Sequence, residues 1–204
     1  SELLKANLNY FHTVTQSFYT VPAPIQEYKY ARKQANVALA HLSDAFQRSL
    51  SEPVSGIATQ TLLQQLVVAN HMLTSHIASL SFYAKSLADQ YRSAAFRPVI
   101  DTIESNMKRA IQIAIKGAEL AIPDSEEINK ADARDIVREL WNRRVKELEE
   151  GRKNSGDRDT RKLLSGLKTI TDQFEIIQTI IADIIHILQR MGHPNPSKGN
   201  SSFI

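Results

Sequence analysis

Val68-Ala-Asn-His-Met-Leu-Thr-Ser-His-Ile-Ala-Ser-Leu80 carries the spacing of a helix rather than the alternation of a strand. At about 100° per residue, Leu62, Leu66, Ala69, Leu73, Ile77, Leu80, Ala84 and Leu87 share one stripe. Asn70 lies inside that stripe and His76 at its edge. Val67, His71, Ala78 and Phe82 make a second stripe, nearly opposite. Two apolar stripes predict a central helix with neighbours on both sides. The preceding segment, Tyr28 to Leu50, repeats the theme: Ala31, Ala35, Ala38, Leu39, Leu42, Ala45 and Phe46 form one stripe, flanked by Arg32, Asn36 and Ser43. Small residues let two helix backbones approach closely, and a polar residue between them needs a partner there. The two segments are therefore expected to pack against each other.

The same reading extends over the chain. Gly and Pro number seven each in 204 residues, which predicts few, long elements. The breaks fall at Pro22-Ala-Pro24, Glu52-Pro-Val-Ser-Gly56, residues 91–98, Ile122-Pro-Asp-Ser125 and 151–156. Between them six helices are expected, at about residues 2–20, 25–51, 57–91, 94–121, 126–150 and 157–191, in a single all-α bundle over 1–194. Pro98 falls in the first turns of the fourth, where its missing N–H costs nothing. In the fifth, Ile136, Val137, Leu140, Trp141, Val145 and Leu148 step by three and four. In the sixth, Leu163, Leu167, Ile170, Phe174, Ile177, Ile181, Ile184 and Leu188 make a long seam ending at Gly192 and Pro194. The near-heptad spacing suggests that these two form an antiparallel hairpin. Residues 195–204 read as a polar, disordered tail.

Composition narrows the function classes. The net charge is +3, compatible with an acidic membrane surface or nucleic acid without demanding either. There is no cysteine, so disulfides and thiolate metal sites are excluded. Leu3 to Tyr19 carries Lys5, two Asn and His12 without the apolar stretch of a signal peptide, and no segment approaches the ~18 apolar residues of a membrane span. The chain opens within a helical pattern at Ser1 without a Met, which suggests a piece of a longer protein.

Catalytic and metal signatures are missing. There is no Glu-x-x-His, no His-Glu-x-x-His, no phosphate loop and no dinucleotide fingerprint, and no His is followed by Asp. His71 and His76 are five apart, about 140° round a helix, the wrong spacing for one metal. A non-enzyme that binds neither metal nor cofactor is expected. The candidate polar cluster is Asn36, Asn70, His71 and His76. It reads either as a ligand-responsive site or, the plainer reading, as buried side chains that fix helix register, with Asn36 or Ser43 as partner to Asn70. Residues 130–162 hold eleven Lys or Arg against eight Asp or Glu. Arg143, Arg144, Arg152, Lys153 and Arg158 are the candidate contact surface, for anionic lipid or another subunit, unless they merely solvate a hairpin. Aromatics are not interleaved with these charges, so nucleic acid is not expected as a partner.

Tyr30-Ala-Arg-Lys-Gln-Ala-Asn-Val-Ala-Leu-Ala-His-Leu-Ser-Asp-Ala-Phe-Gln-Arg48, then Ser51-Glu-Pro53, then Asn70-His-Met-Leu-Thr-Ser-His-Ile-Ala-Ser-Leu80 resemble the soluble domain of the fusaric-acid-resistance-like membrane protein family. The resemblance extends over the first 120 residues and finds no counterpart for the fifth and sixth helices. It implies a cytosolic helical domain of a bacterial inner-membrane efflux protein, an exporter in some members of aromatic carboxylic acids. The domain would serve assembly, gating or solute capture, with the membrane helices of the same full-length protein as partners and a homo-oligomer as the expected state. The mild basicity fits the cytoplasmic side of the membrane. The alternatives are a free-standing helical scaffold or signalling adaptor and, further off, a helical enzyme joining His71 or His76 to a carboxylate.

Overall fold

The structure is a computed structural model that describes residues 1–51, 57–86, 92–116 and 157–192, with single positions 128, 135, 138, 139, 142, 145 and 146; the side chains of 57, 85, 86 and 157–164 are outside it. Five α-helices occur among the described residues: α1 (Glu2–Thr15), α2 (Ile25–Leu50), α3 (Ile57–Ser86), α4 (Arg97–Lys116) and α5 (Asp157–Gly192). No strand occurs among them. Of the helix expected over 126–150, residues 135, 138, 139, 142, 145 and 146 are helical, Arg138 pairs with Asp135 at 3.1 Å, and the rest lies outside the described residues, as does the tail 195–204.

The bundle is built around α1, which contacts α2, α3 and α4, while α5 closes the other side against α3 and α4. The long seam of α5 is consumed by those two neighbours: Leu167, Ile170, Phe174, Ile177, Ile181 and Ile184 are all buried. On α1 the buried residues Leu3, Leu4, Asn7, Tyr10, Phe11 and Val14 recur at helical spacing. Phe174 is the hub of the aromatic core. Its ring meets those of Phe11, Phe18 and Phe96 at centroid distances of 6.4, 5.7 and 6.2 Å, two of them edge-on, the arrangement ring quadrupoles favour.

Two boundaries differ from expectation. The first helix stops at Thr15, not near residue 20, and continues as a 3₁₀ turn, Gln16–Phe18. Side-chain bonds from Thr15 to Phe11 O and from Ser17 to Val14 O compete with the regular ladder there, and Pro22 and Pro24 forbid its continuation. The fourth begins as a 3₁₀ turn, Ala94–Phe96, capped by Ser93 Oγ, before α4 proper. The last helix spans Asp157–Gly192 and ends at Gly192 as expected.

Two packing expectations change as well. α2 and α3 do touch, but only Ala31, Ala35 and Leu39 of the α2 stripe are buried, and Ala45 faces solvent. Among the described residues no helix covers the second stripe of α3: Phe82 is 70 % exposed, His71 is exposed, and Val67 and Ala78 are half-buried. Among the described residues α1, α2 and α5 are the main helix neighbours of α3, and Asn70, Leu73, Thr74, Ile77 and Ser81 are buried on its other side.

Candidate functional site

The Pro22-Ala-Pro24 turn lifts the chain off the end of α1 and starts α2 at Ile25. Pro24 is the N-cap, with ψ at 143°, and its carbonyl accepts from Tyr28 N at 3.1 Å. Between this turn, the last turn of α1 and the end of α3 lies a half-enclosed pocket of about 250 Å³. Thr13, Val14 and Ser17 form its α1 wall; Pro22, Ala23, Ile25 and Tyr28 form its outer wall. Ser81 and Ala84 of α3 and Arg92 complete it. Arg92 is held there by its neighbour: Ser93 N donates to Phe18 O at 2.9 Å.

The floor is a run of hydroxyls. Tyr10 OH lies 3.3 Å from Tyr28 OH, and Tyr28 OH lies 2.8 Å from Ser81 Oγ, linking α1, α2 and α3. The two tyrosine rings stand 5.9 Å apart, tilted by 57°. Burial pushes the Tyr10 phenol well above the ordinary tyrosine range, and its hydrogen bond to Tyr28 adds to it. Tyr10 therefore remains a neutral hydroxyl at every physiological pH. An apolar cavity of roughly 150 Å³ is already enough to admit benzene, so this pocket has room for a small ring compound.

The candidate residues read from sequence do not converge on one site. Asn70 is buried, as expected, but Asn36 is exposed on α2 and Ser43 donates to Leu39 O of its own helix at 3.0 Å, so neither pairs with Asn70. Asn70 Nδ2 donates instead to Leu66 O at 2.8 Å. The buried link across helices is Asn7 with Thr74, whose Oγ1 lies 3.0 Å from Asn7 Oδ1 and 2.9 Å from Asn70 O. α1, not α2, occupies the side of α3 that Asn70 and Thr74 face. His71 is exposed. His76 is half-buried and its Nδ1 donates to Gln173 Oε1 at 2.9 Å, tying α3 to α5. Among the described residues no group of three His, Asp or Glu is placed to hold a metal.

Arg143, Arg144, Arg152 and Lys153 lie outside the described residues; Arg158 is in the first turn of α5, its side chain likewise outside. A different basic strip is in view on α2, where Lys29, Arg32 and Lys33 line a shallow exposed face with Asn36.

Sequence reading missed Thr13, Ser17, Tyr28 and Ser81 as site residues. The available signal was the double-proline turn, which forces two helix ends apart and leaves space beneath it. Among the described residues no helix is long and apolar enough to cross a membrane. Compared with protein-family models, with curated proteins and with solved structures, the chain matches none.

Proposed function

We propose that the chain is the cytosolic helical domain of a membrane efflux protein resembling the fusaric-acid-resistance-like family, and that of assembly, gating and solute capture it serves capture. The observation that carries the choice is the pocket of about 250 Å³ under the double-proline turn. It combines apolar walls with a few convergent polar groups, the usual make-up of a small-molecule site. Its two key hydroxyls, Tyr28 and Ser81, immediately flank the segments 30–53 and 70–80 that bear the resemblance. The exposed strip Lys29, Arg32 and Lys33 supplies the positive surface that an anionic lipid headgroup layer would meet. Capture needs no catalytic group.

The test uses the full-length gene product in a bacterial host. It is expected in the inner-membrane fraction, with this domain digested by protease in everted vesicles but not in sealed, right-side-out ones. Ala23→Trp, which fills the pocket from its outer wall, is expected to leave membrane abundance unchanged and to abolish protection against exported small aromatic compounds. Recovery of the full-length product as a soluble protein would overturn the reading in favour of the free-standing scaffold.

A further inference from the structure

Between Glu52 and Lys85 the chain has no Asp, Glu, Lys or Arg, so α3 carries no fixed charge before its last two residues. Each of the other described helices solvates its exposed side with ions, among them Lys5 on α1, Lys33 on α2, Lys108 on α4 and Asp172 on α5. The exposed side of α3 is also regular. Thr61, Gln65, Val68, Met72, Ser75, Ser79 and Phe82 recur at alternating steps of four and three, within about 100° of the helix circumference. All seven are exposed, Val68 by 52 %, Met72 by 46 % and Phe82 by 70 %. One exposed apolar residue needs no explanation. An uncharged heptad spacing sustained from Thr61 to Phe82 is the pattern of a helix-pairing seam.

We propose that this seam is the interface of a twofold homodimer, in which α3 pairs antiparallel with the α3 of a second copy. Charge and shape both point to a second copy as the occupant. Facing itself, the seam brings no like charges together, and it offers a charged partner surface no counter-charge. In antiparallel pairing Met72 meets the partner's Ser75, Val68 meets the partner's Ser79, and Gln65 meets the partner's Phe82. The bulky Val68 and Met72 of the first half thus fall on the serines of the second half, twice over by symmetry, the large-against-small layering that fills a seam. Ser79 Oγ already donates to Ser75 O of its own helix at 3.1 Å, so its proton needs no water. Parallel pairing would set each serine on its own mate and leave voids. Gln65, Val68 and Met72 also border an open groove of about 510 Å³ against α5, which leaves room for the partner's side chains. A twofold contact closes at two copies. The proposal goes beyond the capture reading and does not rest on it, since the seam holds none of the residues that line the pocket.

The chain has no cysteine, so engineered thiols report the pairing directly. Val68→Cys and Ser79→Cys chains of all 204 residues are prepared separately, then mixed and oxidised. Antiparallel pairing predicts a disulfide-linked dimer in the mixture and none in either variant alone. Like positions then lie about 16 Å apart along the pair, beyond the ~7 Å that a disulfide allows between Cα atoms. One helix pair makes a small interface, so sedimentation of the parent should show reversible dimerisation with a midpoint on the order of 10 µM. Ser75→Glu, at an exposed position, should weaken it at least about tenfold without lowering the melting temperature at dilutions where both proteins are monomers. Ser75→Ala should leave dimerisation unchanged. Disulfides within the separate variants would mean parallel pairing. A parent that stays monomeric up to about 0.3 mM, or a dimer untouched by Ser75→Glu, would mean that the seam does not pair with itself. Any of these results overturns the proposal and leaves capture standing.

Discussion

Asn70 sits on the core stripe of α3, 2 % exposed, with its amide nitrogen turned back to Leu66 O and its Oδ1 buried without a hydrogen bond. Leu66 O is available to the helix ladder whether or not the amide is there. Asn70→Leu, close in volume, is therefore expected to raise stability by up to about 1 kcal/mol in urea denaturation, since an unpaired buried polar atom costs about 1–3 kcal/mol. Asn70→Asp replaces the amide nitrogen with an oxygen facing Leu66 O and should cost about 2 kcal/mol or more; a melt equal to the parent's would mean that Asn70 faces water. Its burial was legible, because Leu66 and Leu73 bracket it. Its neighbour was not: a wheel gives the direction of a side chain from its own axis but not which helix stands there, and Asn7 carried no mark that set it above Asn36. Tyr10 offers a second check. Its folded pKa is raised above the unfolded value of about 10, so above that pH the unfolded chain releases a proton that the folded one keeps. Stability is then full below pH ~10 and falls as pH rises further. Tyr10→Phe should show a shallower alkaline loss than the parent in melts between pH 9 and 11; parallel curves would place Tyr10 in contact with solvent.

Among the elements, α5 was the most legible. Its seam positions Leu167, Ile170, Phe174, Ile177, Ile181 and Ile184 are all buried, and no other residue pattern competes with a helix over such a length. α3 was legible on one side only. Phe82, on the second apolar stripe, stays 70 % exposed; single apolar residues on surfaces are common, so its presence does not demand a neighbour. Val68 and Met72 border an open groove against His186 and Arg190 of α5. α2 shows the opposite failure, a continuous alanine-rich stripe of which only the first half is used. After Leu39 no residue up to Leu50 is buried. Helical stability comes mainly from tertiary packing, so protection should decline along the helix. In native-state hydrogen exchange, amides from residues 42–50 are expected to exchange at least tenfold faster than those from 31–39. Uniform protection along α2 would show that another surface covers its second half.

At the scale of the whole molecule, the pocket and the core are one construction. The Phe18 ring meets that of Phe96 at 5.2 Å, tilted, and that of Phe174 at 5.7 Å, edge-on, and its carbonyl accepts from Ser93 N, the residue next to Arg92. The pocket wall is thus positioned by the aromatic cluster beneath it. None of this was legible in sequence, since the pocket draws common residues from α1, the proline turn, α2, α3 and position 92, and only the fold brings them together. The arrangement makes a joint prediction. Phe174→Ala removes the ring on which α1, the 3₁₀ turns and α5 converge, and should cost about 3–5 kcal/mol of stability in urea denaturation, against about 1.5 kcal/mol or less for Phe174→Leu. A single core implies a single transition, so far-UV circular dichroism and tyrosine fluorescence should report coincident midpoints in both variants. Loss of the ring should also loosen Phe18 and with it the Ser93 tether, so the Ser93 amide should exchange at least about tenfold faster in folded Phe174→Ala than in the parent, and close to the parent rate in Phe174→Leu. Separate unfolding midpoints would show that α1 and α5 belong to independent units, and an unchanged Ser93 exchange rate in folded Phe174→Ala would show that the pocket wall is held by the proline turn alone.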